Sequence, residues 1–506
     1  MLLSGRWVRN LAGWLMASLL LWGTWQRLDH LDAKSLWSDE LFTMGMAQYQ
    51  LLWPKDGRPL YRQIQVDRIE ATDTFLTAKA AEQSPPLNDL LVKAALNLPG
   101  PSEIASRLPA ALSSSLLILF FAAFAWRHPD ASVRRVLWWA TALLALHPTL
   151  IIYAREGRAY SLGASLVGMA GLLWMLRWRR GWRDWQPPGW IEITVFTLAC
   201  YSHYNAALLV ALLLSADAVM ATVKRSLPAW GRLLTLGSIF SVWLALNAHA
   251  ILFTAEGGVG WSGESPSERF MMARHDIFTA MHPPWVWLAL AVVIYFAFSQ
   301  WLKRRAHGSV DTWAGDGTKL WALAGIATVY LALAALVVSK AGMGHPRFFI
   351  FIIPLLSVMM GLMLAKVRPG WLAMVTLAAF ASLITPSDRL IGIMGYGDFR
   401  NMGLNGVRGT DPTTYFVFPL EANRNFYRHY PHRFLGKDPN SRMVGMSIEA
   451  QAAQVCDQIK VHRHVVVFEH RSEGITNALK TSCANNWPMR SRQEFHLTAV
   501  EHWTRP

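Results

Sequence analysis

The chain has 506 residues, of which 53% are hydrophobic and only 16% are charged, with 25 Trp and a mean hydropathy of +0.23. A water-soluble protein would have to expose much of that apolar surface, and the apolar residues come in runs long enough to cross about 30 Å of hydrocarbon. The net charge of +15 comes from Lys and Arg clustered in short loops between those runs, so it indicates membrane topology and argues against nucleic-acid binding.

Eleven apolar runs predict a polytopic α-helical membrane protein. The predicted spans lie near 7–26, 105–126, 135–153, 159–178, 190–204, 206–223, 232–253, 285–302, 319–339, 347–365 and 371–386. The first run has a basic head and an apolar core, as a signal peptide has. No small-residue cleavage site follows it, so we expect it to remain as the first helix. The fifth and sixth runs follow each other almost without a gap and are the least defined pair.

The distribution of Lys and Arg predicts on which side of the bilayer each loop lies. The basic segments precede span one and follow spans two, four, six, eight and ten, and Arg177 and Arg232 are among their charges. The positive-inside rule makes that side the cytoplasm and puts the N-terminus there. The outer side then receives the loops 27–104, 153–159, 254–284 and 339–347. The acidic residues of the third of these loops are Glu256, Glu264, Glu268 and Asp276.

The long apolar runs stop near residue 387. Residues 1–386 are therefore predicted to form the transmembrane domain and 387–506 a small C-terminal α/β domain on the periplasmic or extracellular side. Its predicted strands are Tyr415–Phe418, His464–Phe468 and Phe495–Val500, and its predicted helices are Ile448–Ile459 and Ile475–Cys483. Cys456 and Cys483 fall in this region, in an oxidising compartment, where they form either a disulfide or two free thiols.

An acidic pair, Asp39 and Glu40, follows the first span. In a purely structural interpretation, Ser38 caps a helix whose first turn holds both acids, where the helix dipole favours them. That helix would lie along the membrane interface on a face made of Leu41, Met44, Gln48 and Leu52. In a functional interpretation, one carboxylate acts as a general base, which requires close positioning or a raised pKa because Asp ordinarily titrates near ~3.9.

A second motif, from Gln83 to Lys93, contains Ser84-Pro85-Pro86, which is typical of a helix start. Lys93 at its end is a possible substrate-binding residue. Arg107, at the outer end of the second span, is either an ordinary snorkelling arginine or part of a site.

Cations also occur in the outer loops, where the topological bias disfavours them. Arg155 and Arg158 lie between spans three and four, and they would share a helix face if span four extended back to them. Their structural alternative is pairing with Glu156 and lipid headgroups. Lys340, His345 and Arg347 repeat the anomaly between spans nine and ten. The remaining candidates for substrate binding are Tyr160 and His203.

Acids and cations at one membrane face suit a lipid-linked phosphate, because Arg and Lys neutralise phosphate oxygens well. The sequence shows no Walker-type glycine loop, no Cys/His spacing of a zinc site and no nucleophile elbow. A Ser-His-Asp hydrolase stays open on these grounds.

The motifs, in their order along the chain, resemble those of the GT-C membrane glycosyltransferases. The motifs are Ser-Asp-Glu (38–40), Ser-Pro-Pro-Leu (84–87), Ser-Arg-Leu-Pro (106–109), Tyr-Ala-Arg-Glu-Gly-Arg-Ala-Tyr-Ser-Leu (153–162), Ser-His-Tyr (202–204) and Pro-Arg-Phe-Phe-Ile-Phe (346–351). The nearest branch is the one related to protein O-mannosyltransferases and the lipid A aminoarabinose transferase, and the resemblance covers residues 1–390.

This resemblance implies transfer of a monosaccharide from a polyprenyl-phosphate donor to a hydroxyl group of a lipid, glycan or protein, with inversion and without a cofactor or metal. It places the reaction at the periplasmic face of a bacterial inner (plasma) membrane. It makes Asp39, beside Glu40, the catalytic base and Arg158 a ligand of the donor phosphate. It assigns Arg107 and Arg347 to the same neighbourhood. Arg155 and Lys340 are further candidates for stabilising the charge that the phosphate gains.

The chain departs from the family pattern in two places. Relatives usually carry His-Pro-Pro where this chain has Ser84-Pro85-Pro86, and the C-terminal region has no motif to match. The acceptor therefore stays open. A transporter or flippase of lipid-linked sugars and a polysaccharide polymerase or ligase are the alternatives, although a transporter would more often show repeated halves and helices broken near the midplane.

Overall fold

The structure is a computed structural model. It describes residues 5–33, 36, 38–47, 50–51, 70–71, 75, 84–179, 188–224, 227–256, 266–281, 286, 314–341, 346–365, 404–408, 410, 414–419, 443–446, 452–459, 462–470, 479–481, 483, 489–494 and 498–504. The chain divides into two compact units. The first comprises Met1–Asp29, Gln83–Leu91 and Arg107–Ile391, and the second comprises His30–Glu82, Val92–Ser106 and Gly392–Pro506.

Helices dominate the first unit. In chain order the helices of both units are α1 (Gly5–Leu28), α2 (Ser38–Ala47), α3 (Leu87–Leu96), α4 (Ser102–Arg127), α5 (Ala131–Leu146), α6 (Pro148–Ala154), α7 (Ala159–Arg179), α8 (Trp190–Ser202), α9 (Tyr204–Lys224), α10 (Leu227–Glu256), α11 (Pro266–Ala280), α12 (Ala314–Ala341), a 3₁₀ helix (Pro346–Ile352) that continues into α13 (Ile353–Leu364), and α14 (Ala452–Ile459).

Nine of the eleven predicted spans coincide with these helices, and the spans predicted at 285–302 and 371–386 lie outside the described residues. Among the described residues, five helical segments are long and apolar enough to cross a membrane. They are Ser102–Arg127, Ala159–Arg177, Tyr204–Val223, Trp230–Ala248 and Pro346–Leu364. A sixth is added if α5 and α6, which meet at 58°, form one bent span. The architecture is that of a polytopic helical membrane protein, and the count of eleven stays a prediction.

A buried arginine holds the bend between α5 and α6. Pro148 has no N–H to donate to the carbonyl of Leu144 four residues earlier, so the bend frees carbonyl oxygens inside the bundle. Arg27 of α1 donates to the Leu144 oxygen at 2.7 Å, to the Ala145 oxygen at 2.9 Å and to Ser114 Oγ of α4 at 2.7 Å. Because Arg27 is fully buried, these hydrogen bonds fix three helices around the bend that leads into α6.

Glycines allow α7 to pack closely against the 3₁₀ helix and α13. A Cβ atom at Gly163 would lie 2.6 Å from Phe351, and one at Gly168 would lie 2.7 Å from Pro354. Such small residues let helices in a membrane approach until their backbones are in contact. The start of α7 and the 3₁₀ helix are therefore neighbours, and both carry residues of the candidate site.

A second set of buried charges joins α7, α8, α9 and α10, and we call it the buried ion network: Arg177, Glu192, Asp217 and Arg232. Arg232 forms ion pairs with both Glu192 and Asp217, and Arg177 pairs with Glu192. Trp174 donates a hydrogen bond of 2.8 Å to Asp217. Two positive and two negative charges therefore compensate each other inside the helix bundle.

The second unit contains a five-stranded sheet in the order β4-β3-β5-β7-β6. The strands are β3 (Tyr415–Pro419), β4 (Met443–Met446), β5 (His464–His470), β6 (Met489–Glu494) and β7 (Thr498–Thr504), and a separate antiparallel pair consists of β1 (Gln50–Leu51) and β2 (Glu70–Ala71). β3 runs parallel to β4 and β5, whereas β7 runs antiparallel to β5 and β6. The predicted strands at 415–418 and 464–468 are thus confirmed, and the third is observed at Thr498–Thr504.

Val417, Val465 and Trp503 of the sheet pack with Val455 and Ile459 of α14. A disulfide joins Cys456 of α14 to Cys483, which decides between the two alternatives left open for these cysteines. The domain boundary near residue 387 stays a prediction.

Candidate active site

Tyr160, in the first turn of α7, is the centre of an aromatic and cationic cluster in the first unit. The guanidinium carbon of Arg158 lies 5.9 Å from the centre of its ring, and that of Arg347 lies 5.3 Å from it. The rings of His203 and Phe348 lie 5.2 Å and 6.0 Å from the same ring. We call Arg158, Tyr160, His203, Arg347 and Phe348 the Tyr160 cluster.

The turn between α6 and α7 places Arg158 in this cluster. α6 ends at Ala154 and α7 begins at Ala159, so Arg155 and Arg158 lie in a turn in which the Arg158 N–H donates to the Glu156 carbonyl at 2.8 Å. The idea that both arginines share one helix face is therefore wrong, because the helix does not extend back to them. Arg155 and Arg158 are half-buried, and Glu156 is buried.

Two hydrogen bonds to one carbonyl hold Arg347 and Phe348 in place. The hydroxyl of Tyr330 on α12 donates to the Phe348 oxygen at 2.9 Å, and the side-chain amide of Asn205 on α9 donates to it at 3.1 Å. The 3₁₀ helix is therefore held by both α9 and α12. These contacts fix the backbone that carries the Arg347 side chain.

His203 is the single residue between α8 and α9, where its backbone is extended. Its Nδ1 accepts the backbone N–H of Asn205 at 3.1 Å, and its ring also packs 4.7 Å from that of Phe351. Since Nδ1 accepts, the neutral imidazole carries its proton on Nε2. His203 therefore contributes a fixed ring and one N–H donor to the cluster.

The arrangement favours a negatively charged ligand. Contact with an aromatic face orients a guanidinium and leaves its N–H groups directed outwards in its own plane, in the geometry that phosphate oxygens accept. Two guanidinium groups at one ring repel each other, and an anion between them removes that repulsion.

The acidic pair lies in the second unit, in the first turn of α2, which begins at Ser38 as predicted. Glu40 is buried, whereas Asp39 is partly exposed, and the Asp39 carbonyl accepts a hydrogen bond of 3.2 Å from the Thr43 hydroxyl. Leu41 and Met44 pack with Leu36, Ala47 and Val92 in a small core. Of the two carboxylates, Asp39 is thus the one that a substrate can reach.

Four predicted site residues remain to be placed. Arg107 is buried near the start of α4, so it is not a snorkelling arginine. Lys93 is half-buried on α3 in the second unit. Lys340 belongs to the last turn of α12, its side chain lies outside the described set, and His345 lies outside the described residues altogether.

Sequence reasoning missed four residues that shape the cluster: Asn205, Tyr330, Phe348 and Phe351. Phe348 and Phe351 belong to the motif Pro-Arg-Phe-Phe-Ile-Phe (346–351), so the sequence pattern could have indicated them. Asn205 directly follows Ser-His-Tyr, but nothing in the sequence indicates that its amide reaches Phe348. Tyr330 lies in the middle of an apolar run and carried no signal.

The described helices define a class, that of polytopic helical membrane proteins. No protein-family model matches the sequence, and no curated protein matches it either. The crystal structure of ArnT from Cupriavidus metallidurans in the apo state is similar to this chain with a TM-score of 0.52 and 14% identity, over 97% of this chain and 98% of that one.

The crystal structure of the same ArnT bound to undecaprenyl phosphate gives a TM-score of 0.50 and 14% identity, over 99% of this chain and 98% of that one. The archaeal oligosaccharyltransferase AglB from Archaeoglobus fulgidus scores 0.42 at 14% identity, over 90% of this chain and 69% of that one, which is too low to carry an argument. ArnT is the lipid A aminoarabinose transferase, so the predicted resemblance to its branch is confirmed at the level of the fold.

Proposed function

We propose that this protein transfers a sugar from a polyprenyl-phosphate donor to a hydroxyl group at the periplasmic face of a bacterial inner membrane. One observation carries the proposal. Arg158 and Arg347, almost 190 residues apart in sequence, lie over the ring of a single buried tyrosine in a chain that has the fold of ArnT over nearly its full length. ArnT has been crystallised with undecaprenyl phosphate, the kind of anion that two such arginines would bind.

The proposed reaction divides between the two acids and the arginines. Asp39 removes the proton from the acceptor hydroxyl, which attacks the anomeric carbon opposite the phosphate and inverts its configuration. The leaving group becomes a phosphomonoester and gains negative charge, which Arg158 and Arg347 stabilise. Arg155, Lys340 and Arg107 are the further candidates for this role. Because that leaving group is already acidic, the reaction requires no general acid and no metal.

The proposal includes the topology predicted from the sequence: eleven spans, a cytoplasmic N-terminus, a transmembrane domain at 1–386 and a periplasmic domain at 387–506. The acceptor is a lipid, a glycan or a protein of the cell envelope. Mass spectrometry of envelope glycans from cells with and without the gene tests this function directly. Loss of a single sugar substituent is expected, whereas loss of long polymers would indicate a polymerase or ligase instead.

Asp39→Asn tests the catalytic base. We expect normal expression and a rate of transfer lowered by about 10²- to 10⁴-fold, which is the usual contribution of a general base. Asp32→Asn, seven residues earlier on a partly exposed aspartate, is the matched control and should keep full activity. Undiminished transfer by Asp39→Asn would rule out this assignment.

Arg158→Ala tests the phosphate role. The variant should need much more donor to reach half-maximal rate, by about 10- to 100-fold if a charge-assisted hydrogen bond of roughly 1.5–3 kcal/mol is lost. Full activity at low donor concentration would show that Arg158 does not contact the phosphate.

A further inference from the structure

One buried carboxylate in the first unit has no part in the mechanism described above. Asp276 of α11 is only 8% exposed, and within the described part of the chain no group hydrogen-bonds its Oδ2 atom. It belongs to the packed face of α11, with Ala273 one turn before it and Ala280 one turn after it, both fully buried. α11 packs with this face against the 3₁₀ helix and α12.

Asp276 lies opposite Tyr153 of α6. The hydroxyl of Thr149 on α6 donates to the Ala280 carbonyl at 2.7 Å, which aligns the two helices at that point. Tyr153 lies four residues after Thr149, and Asp276 lies four residues before Ala280, so each is one turn away from the contact on the same face. The charge of Asp276 is close enough to Tyr153 to act on its hydroxyl, which agrees with this placement.

The pair adjoins the Tyr160 cluster. The rings of Tyr153 and Tyr160 lie 6.0 Å apart in an edge-to-face arrangement, and Tyr153 also interacts electrostatically with Glu156 and Arg347. A ligand whose phosphate lies at Arg347 would therefore extend its next chemical group towards Tyr153 and Asp276.

Among the residues that the structure describes, no hydrogen-bond partner of Oδ2 accounts for the burial of this acid. His275 is adjacent in sequence but exposed, so it lies off the packed face that buries Asp276. Burial raises the pKa of Asp276 to about 6, which is the mark of a carboxylate that has lost water without gaining a strong partner. Such a group costs stability unless a ligand provides hydrogen-bond donors.

We propose that Asp276 and Tyr153 form a carbohydrate subsite that holds the sugar of the lipid-linked donor. The inference rests on the proposed function, because it takes the donor phosphate to lie at Arg158 and Arg347. A pyranose presents hydroxyl donors at its edge and C–H groups on its face, which match a carboxylate and an aromatic ring respectively. Asp276 accepts hydrogen bonds from sugar hydroxyl groups, or from an ammonium group if the sugar carries one.

Lipid binding by the purified full-length protein in detergent tests this subsite. The probes are undecaprenyl phosphate without a sugar and the same lipid carrying glucose, mannose or 4-amino-4-deoxyarabinose. The natural protein should bind at least one sugar-bearing lipid about tenfold more tightly than the bare lipid, as expected for a hydrogen bond to a charged group. In Asp276→Ala that advantage should fall below about twofold while the affinity for the bare lipid is unchanged; Asp276→Asn, which keeps one acceptor, should lose part of it.

Two controls separate ligand binding from folding. Glu268→Gln makes the same change of charge at an exposed position of the same helix and should leave every affinity unchanged. Asp276→Asn should keep or raise the melting temperature, because no described residue hydrogen-bonds the Oδ2 atom; a marked fall would show a structural role and overturn the proposal.

The outcomes also distinguish a failure of this subsite from a failure of the proposed function on which it rests. If the natural protein binds bare undecaprenyl phosphate but prefers none of the sugar-bearing lipids, or if Asp276→Ala keeps the full preference, the subsite is wrong and the phosphate site stands. If the natural protein binds none of these lipids, the proposed function itself is wrong.

Discussion

Helix α7 carries an arginine assembly near each end, and the two assemblies differ in the contacts that the structure describes for their guanidinium groups. Near its first turn, Arg158 and Arg347 lie over the ring of Tyr160. Near its last turn, Arg177 belongs to the buried ion network, in which Arg232 reaches both Glu192 and Asp217. Tyr160 and Arg177 are 17 residues apart on one helix. This separation corresponds to roughly 25 Å along the helix axis, close to the thickness of the hydrocarbon core.

The difference shows how one residue type serves two purposes. In the buried ion network each guanidinium is matched by a carboxylate, so the assembly is complete without a ligand and its contribution is to the packing of four helices. In the Tyr160 cluster both guanidinium groups lie over an aromatic ring, a contact that orients them at the predicted working face. We therefore expect changes in the network to alter stability first and changes in the cluster to alter ligand binding first.

The largest expected effect is on stability, from Arg232→Met. Arg232 is almost fully buried, and its removal leaves Glu192 and Asp217 without their main partner inside the bundle. Loss of one member of a buried ion pair typically costs about 3–5 kcal/mol, so the melting temperature in detergent should fall steeply. Arg177→Met is the control, since the Arg177 side chain is 28% exposed and its loss should cost much less. An equal fall in both variants would contradict the assignment of burial as the cause.

A smaller effect, on binding, is expected at Tyr160. Tyr160→Leu removes the ring beneath two guanidinium groups, and each contact of this type contributes about 0.5–1 kcal/mol. The affinity for undecaprenyl phosphate should fall by about 5- to 30-fold, whereas Tyr160→Phe, which keeps the ring, should stay within about twofold. Trp174→Phe at the other end of α7 should lower the melting temperature and leave this affinity unchanged. If Tyr160→Phe binds as weakly as Tyr160→Leu, the hydroxyl rather than the ring face is what matters.

The sequence predicted the elements better than their contacts. Apolar runs located the helices at nine of the eleven predicted spans, because in a membrane each helix satisfies its own backbone and local hydropathy suffices. They did not predict α11, which lies in a segment predicted as an outer loop. The misplaced cations Arg158 and Arg347 and the nearby His203 were chosen separately, and the structure brings all three to one tyrosine. Motif order identified them, since each motif marks a helix end on the same predicted face.

What the sequence did not predict depends on contacts between distant helices. Arg177 and Arg232 were interpreted as topological charges, and the acids that pair with them lie inside apolar runs without any local signal. Arg27 likewise stands at the end of an ordinary span, yet it holds a bend that Pro148 creates more than a hundred residues later. Asp276 was one acid among four in a polar loop, and only helix packing shows that it is the buried one of those described.

The smallest expected effect concerns pH and distinguishes Asp276 from the compensated acids of the network. Burial raises the pKa of Asp276 from 3.8 to about 6, so between these values the unfolded chain loses its proton while the folded protein keeps it, and stability falls as pH rises. Asp276→Asn removes this titration. The variant should melt close to the natural protein at pH 4 and a few degrees above it at pH 7, in the direction that the raised pKa sets. Glu268→Gln, at an exposed position of the same helix, should show no such trend. A difference that is the same at both pH values would mean that the Asp276 carboxylate is stabilised in the folded protein as well as it is in water.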